Sequence, residues 1–138
     1  MRKVLLVTGA LLLLCLEFAG QNPPRIVARN RVIDLDSFSL AIGGDTTVVF
    51  HYRNAGDSAL VIAAMVPTCT CVVPTYSKEP LMPGDSTTFS VRFIPSHSGP
   101  FSQAVTITYS TPGGTEFYLT RVGIKGSVTE PPCAACEQ

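Results

Sequence analysis

Tryptophan is absent from this 138-residue chain, histidine occurs twice, and only 14% of residues are charged, ten basic against ten acidic. A chain so short of cations has no basic stripe with which to follow a phosphate backbone, which removes nucleic acid from its expected partners. It also lacks a Gly-x-Ser-x-Gly elbow, a His-Glu-x-x-His pair, a phosphate-binding loop and a dinucleotide fingerprint. No nucleophile stands beside an evident base, and no enzymatic activity is expected. Helical periodicity is missing as well: outside the first twenty residues, no stretch of ten carries an apolar stripe at helical spacing.

The one long apolar run is Val4–Leu16, preceded by Arg2 and Lys3 and followed by Ala19, Gly20 and the polar Gln21-Asn22. Thirteen residues are too few to cross a hydrocarbon layer of about 30 Å, and the layout is that of a secretory leader. Residues 1–20 are therefore expected to be removed on export to the periplasm or the cell exterior. Cys15 is not expected to carry a lipid anchor, because Leu14 occupies the place where a small residue is wanted. Removal takes away Arg2, Lys3 and Glu17, so the mature chain stays near neutral and keeps no transmembrane segment.

What the mature chain does have is a period of two. Val48, Phe50 and Tyr52 alternate with Val49, His51 and Arg53; Phe89, Val91 and Phe93 with Ser90 and Arg92; Val105, Ile107 and Tyr109 with Thr106 and Thr108. Turn signals separate these runs: Gly43-Gly44-Asp45, Asn54-Ala55-Gly56-Asp57, Pro83-Gly84-Asp85, Ser98-Gly99-Pro100 and Pro112-Gly113-Gly114. Seven strands are predicted, near 31–36, 46–53, 59–66, 71–75, 86–94, 101–109 and 116–128. Gly123 is read as a bulge where the apolar phase of the last strand switches from Phe117 and Leu119 to Val122, Ile124 and Val128. An extended lead-in covers 21–30, the domain 31–128, and a Pro-rich tail 129–138.

Seven short strands with regular turns predict an all-β, antiparallel Ig-like β-sandwich, with a small barrel as the alternative. Its expected core is Val48, Phe50, Tyr52, Leu60, Ile62, Phe89, Val91, Phe93, Val105, Ile107, Leu119 and Ile124. Asp34, Asp36, Asp45, Asp57 and Asp85 are read as capping groups at strand ends and turns. The tail holds Pro131 and Pro132, which cannot extend a ladder, and it is expected to be dispensable for folding.

Four cysteines remain after processing: Cys69, Cys71, Cys133 and Cys136. In an exported protein an even number points to disulfides, and four cysteines allow three connectivities. On an extended strand Cys69 and Cys71 would share a face, available to one metal ion or one partner thiol. A bond between them closes a very small ring and is expected to be easily reduced. Thiolate binding of Cu or Zn at Cys69 and Cys71 is the alternative to structural bonds, with His51, His97, Met65 or Met82 as supplementary ligands. Thiol–disulfide exchange is a further one. Cys133-Ala134-Ala135-Cys136 has redox spacing but no βαβ context. His51 is expected on the outer face of its strand and His97 in a turn.

From Val48 to Val128 the chain resembles the bacterial domain of unknown function 1573, an exported Ig-like module. The resemblance rests on Phe50-His51-Tyr52-Arg53-Asn54-Ala55-Gly56-Asp57 with Leu60-Val61-Ile62, the Cys69-x-Cys71 step, Pro83-Gly84-Asp85, Val91-Arg92-Phe93, Gly99-Pro100-Phe101 and Ile124-Lys125-Gly126-Ser127-Val128. Where that family reads Cys-Gly-Cys-Thr, this chain has Cys69-Thr70-Cys71-Val72, and a β-branched Thr70 argues against a loop needing positive φ there. The resemblance implies a fold but no settled activity. A non-catalytic structural or interaction module contacting envelope or extracellular proteins is the function expected.

Overall fold

The computed structural model describes residues 22–39 and 44–129, and every described element is a strand. There are eight: β1 (Ile26–Ala28), β2 (Val32–Ser39), β3 (Thr46–Asn54), β4 (Val61–Pro67), β5 (Val72–Thr75), β6 (Ser86–Phe93), β7 (Gly99–Ser110) and β8 (Tyr118–Thr129). They form two four-stranded sheets, β1-β3-β6-β5 and β2-β8-β7-β4. The seven strands expected from the period of two are β2 to β8. The additional strand, β1, lies in the segment read as an extended lead-in and pairs with the end of β3, Ile26 opposite Asn54. All pairings are antiparallel except β2 with β8, which run parallel.

The alternation works as two half-buried faces should. In β3 the residues Val48, Phe50, Tyr52 and Asn54 are buried and those between them exposed. Opposite, Phe89, Val91 and Phe93 of β6 fill the same layer, with Phe50 and Phe89 stacked at a ring separation of 5.0 Å. Val105, Ile107 and Tyr109 of β7 and Val122, Ile124 and Val128 of β8 close the core from the other sheet. Each fully buried Phe or Leu contributes roughly 1.5–3 kcal/mol. Eleven of the twelve expected core residues are buried.

Leu119 is the exception: it is 68% exposed. The physical reason is that β8 never changes phase. Tyr118, Thr120, Val122, Ile124 and Val128 turn inward on even numbers throughout, so Phe117 and Leu119 are outward-facing apolar residues. The β7–β8 register runs unbroken through Ala104 opposite Gly123, so there is no bulge at Gly123. The bulge near this sheet edge is in β2 instead, between Asp34 and Ser37, where Asp36 adopts φ 52°. Asp34 accepts the Asp36 N–H at 2.9 Å and pairs with Lys125 at 3.2 Å, so it stabilises the bulge from within the strand.

Of the five connections that change sheet, three (β3–β4, β4–β5 and β6–β7) build the parts of the two ends that matter here. At one end, Asn54 to Leu60 links β3 to β4, and the N-terminal Asn22–Arg25 segment lies on it. There a Cβ on Gly56 would collide with the Pro23 carbonyl oxygen and would sit 2.8 Å from Pro24 Cα. Glycine is required for this close approach. At the other end, the Cys69-Thr70-Cys71 step links β4 to β5, and residues 94–98 link β6 to β7. That second end holds the candidate site.

Candidate functional site

The step from β4 to β5 is a tight turn in which the Val72 N–H donates to the Cys69 carbonyl at 3.2 Å. Both flanks are held. Thr68 N–H donates to the Ala104 carbonyl on β7 at 2.9 Å, and Ile94 N–H donates to the Cys71 carbonyl at 2.8 Å. The turn thus spans both sheets, with one shoulder on each. Among the described non-glycine residues only Asp36 has positive φ, so Thr70 makes this turn without the glycine that the related pattern carries. Its side chain is exposed.

Cys69 and Cys71 are bonded to each other, Cα to Cα 5.1 Å. They do not lie on an extended strand, as a period-two reading implies, because the turn begins before Cys69 and ends at Val72. The Cys71 N–H donates to Cys69 Sγ at 3.0 Å. Both residues are half-buried and form one wall of a cleft of about 220 Å³. Its floor is apolar, from Phe93, Phe101 and Val128, and the rim carries His97 and Gln103. Phe93 and Phe101 stack across the two sheets at 4.3 Å, and Phe38 meets Phe101 edge-on at 6.0 Å. Gln103 is tied to the turn, its Oε1 accepting from the Thr68 hydroxyl at 2.8 Å.

Among the supplementary metal ligands considered from sequence, only His97 lies on this cleft, in the β6–β7 turn, exposed and within 3.0 Å of the Ser96 hydroxyl. His51 is exposed on the outer face of β3, as expected, where it lines an open groove of about 380 Å³ with Arg29, Arg53 and Ser86. Met65 is buried in the core and Met82 is exposed in the loop before β6. Two sulfurs bonded to each other offer no thiolate pair, and among the described residues no three His, Cys, Asp or Glu side chains stand together as a metal site. Cys133 and Cys136 lie outside the described residues, as do Cys15 and the leader-like segment.

A buried polar centre at the opposite end was not singled out from the sequence. Asn54, fully buried, donates from Nδ2 to the carbonyls of Ser58 (2.8 Å) and Leu81 (3.0 Å), while Oδ1 accepts from the N–H groups of Gly56 (3.1 Å) and Arg25 (3.3 Å). Its backbone N–H and carbonyl are bonded to Asp85 and Gly84. The motif Asn54-Ala55-Gly56-Asp57 signalled a turn, and nothing local signalled partners as distant as Arg25 and Leu81.

The family of proteins of unknown function DUF1573 matches residues 26–128. This chain belongs to it. Among curated proteins none matches. Among solved structures, the ASH/PapD-like domain 7 of human CEP192 is similar at TM-score 0.64 and 13% identity, over 79% of this chain and 88% of that one. The Vibrio cholerae protease VesB is similar at TM-score 0.57 and 17% identity, over 77% of this chain and 32% of that one. The E. coli chaperone DraB is similar at TM-score 0.52 and 10% identity, over 78% and 56%. The DUF1573 chain therefore spans about a third of the protease and just over half of the chaperone. At these identities the likeness is one of fold: a PapD-like, Ig-like sandwich shared by proteins of unlike activity.

Proposed function

We propose that this DUF1573 chain is a non-catalytic interaction module of the bacterial cell envelope that accepts an extended, uncharged segment of a partner protein along the free edge of β4. An open sheet edge presents unpaired backbone groups to any strand that can reach it, and proteins blunt the edges they do not use. Three of the four edges here are blunted. β1 is three residues long and flanked by Arg25 and Arg29; β5 is four residues long and contains Pro74; β2 is bulged and carries Asp34 and Asp36. β4 is also bulged, between Ile62 and Ala64, but unlike β2 it contains no charged residue and unlike β1 and β5 it is seven residues long; among the described residues its outer side is bridged only at its start, Leu60 to Leu81.

The single observation carrying this reading is that contrast between β4 and the other edges. The occupant's character follows from the strand it meets: Val66 is 58% exposed and Ala63 is exposed, so an apolar, uncharged segment fits beside them. Pro67 lacks an N–H and marks where such pairing stops. Export is supported by the leader-like sequence of residues 1–20, and no helix among the described residues is long and apolar enough to cross a membrane.

The test is photo-crosslinking in the intact envelope from a reactive residue at position 63, with position 37 on the β2 edge as comparison. One discrete adduct from position 63, lost when Val66→Lys places a charge on the same edge, is the expected result. Equal adducts from both positions, or an adduct indifferent to Val66→Lys, would remove β4 as the docking edge. Substrate turnover abolished by substitution of a cleft residue would remove the non-catalytic reading altogether.

A further inference from the structure

The cleft beside the Cys69–Cys71 bond and the end of β8 share a wall. Val128 lines the cleft, β8 stops at Thr129, and the sequence then runs Glu130-Pro131-Pro132-Cys133-Ala134-Ala135-Cys136. Four residues of chain span up to about 14 Å when extended, which brings Cys133 within reach of any point on a cleft that Val128 already touches. The chain's second cysteine pair therefore follows, by four and seven residues, the end of a strand that lines the pocket holding its first. The two residues of the first pair are half-buried, line the cleft and are separated by a single residue, and a disulfide that borders an open cleft is accessible to exchange.

We propose that the cleft is the docking site of this chain's own C-terminal segment, residues 130–138, and that Cys133 and Cys136 exchange electrons with the Cys69–Cys71 disulfide through a mixed disulfide on Cys71. The structure distinguishes the two sulfurs. Cys69 Sγ already accepts a hydrogen bond from the Cys71 N–H at 3.0 Å, so negative charge leaving on Cys69 is stabilised where it forms. A tail thiolate attacks Cys71 Sγ, the Cys69–Cys71 bond breaks, and its electron pair departs on Cys69 Sγ. The second tail thiol loses its proton and attacks the tail sulfur of the mixed disulfide, releasing Cys71 as a thiolate. Two electrons and two protons pass from the Cys133/Cys136 dithiol to Cys69 and Cys71. The tail ends as a disulfide and the sandwich pair as a dithiol. The apolar floor of Phe93, Phe101 and Val128 suits the Pro131-Pro132 and Ala134-Ala135 side chains that would accompany the sulfurs. This exchange does not rest on the proposed docking at β4.

The experiment uses the exported chain in double variants that keep one cysteine of each pair, equilibrated in glutathione buffers and quenched in acid. Digestion without reductant, cutting after Arg53, Lys78 and Lys125, leaves Cys69 or Cys71 on residues 54–78 and the tail cysteine on residues 126–138. The Cys69→Ser/Cys136→Ser variant should yield these two peptides joined, with an effective thiol concentration in the millimolar range, as for a short tether. The Cys71→Ser/Cys136→Ser variant should yield at least tenfold less. Joining no greater than that obtained with a separate micromolar peptide of residues 126–138 would overturn the proposal, and equal joining through Cys69 would overturn the assignment of Cys71. As a check that needs no cysteine replacement, removing residues 130–138 should slow reduction of the Cys69–Cys71 bond by glutathione about tenfold. An unchanged rate counts against the exchange.

Discussion

Asn54 Nδ2 donates to the Leu81 carbonyl at 3.0 Å across 27 residues of sequence, and this bond joins the β3–β4 turn to the loop that precedes β6. With the bonds to Ser58, Gly56 and Arg25, one buried amide holds three chain segments together. Replacing it by Ala strands several buried partners at once, each costing about 1–3 kcal/mol unless water reaches it. Asn54→Ala is expected to destabilise the domain by roughly 3 kcal/mol in urea unfolding. Asn54→Asp should also be costly, because a carboxylate oxygen would then face the Ser58 and Leu81 carbonyls. A loss below about 0.5 kcal/mol for Asn54→Ala, within the range of surface changes, would show that the hub is not structural.

A second close approach supports the β2 bulge. A Cβ on Gly126 would sit 2.8 Å from the Asp36 carbonyl oxygen and 3.1 Å from the Phe101 ring, so neither backbone nor core can yield easily. Gly126→Ala is expected to cost about 1–3 kcal/mol, as other insertions into packed sites do. Gly123→Ala, whose Cβ would meet the Gln103 carbonyl oxygen at 3.1 Å, should cost less. Thermal unfolding of the two variants side by side decides it, and the reverse order would show that β2 moves aside.

The strand pattern was legible because two half-buried sheets impose a period of two, which β3 and β6 obey along their length and β7 from Ala104 to Tyr109. Where a strand is short, the period has no room to declare itself, and β1 with its three residues read only as extended chain. Leu119 misled for the opposite reason: an apolar residue on the outer face copies the signal of a core position, and only the partner strand shows which face is inside. At the candidate site, the cysteines were visible as a motif. The cleft was not, because its walls come from the β6–β7 turn, the start of β7 and the end of β8, brought together only by the two sheets. Asn54 was invisible as a hub for the same reason, since its partners Arg25 and Leu81 lie 29 and 27 residues away.

The Asp34 carboxyl is held below the usual aspartate range, first by the Asp36 N–H and then by Lys125. A group whose pKa falls on folding contributes stability above its unfolded value, and that contribution disappears as pH drops through the folded value. The contribution of Asp34 should be complete above the ordinary aspartate pKa of about 3.9 and should fade below it. Asp34→Asn should therefore flatten the acid limb of the stability curve below that pH. Because Asp34 is exposed, the effect should also shrink in high salt. Identical acid limbs for the two proteins would show that the bulge is indifferent to this charge.

The Cys69–Cys71 bond is expected to matter little for stability, which leaves it free to change state. A disulfide stabilises chiefly by closing a loop in the unfolded chain, and a loop this short gives only about 1.5 kcal/mol in the chain-entropy account, against about 3 kcal/mol for fifteen residues. Cys69→Ser/Cys71→Ser should lower the unfolding free energy by no more than about 1.5 kcal/mol, measured from urea midpoints at neutral pH. Truncation after Thr129, whose hydroxyl still donates to the Phe38 carbonyl at 3.1 Å, should change it by less than about 0.5 kcal/mol. If either change cost 3 kcal/mol or more, a long-range bond between Cys133 or Cys136 and the sandwich would have to hold permanently, because only a large loop gives a penalty of that size. A small penalty for both leaves the pair closed within its own turn at rest, with the tail as a visitor to the cleft and not a fixture of the fold.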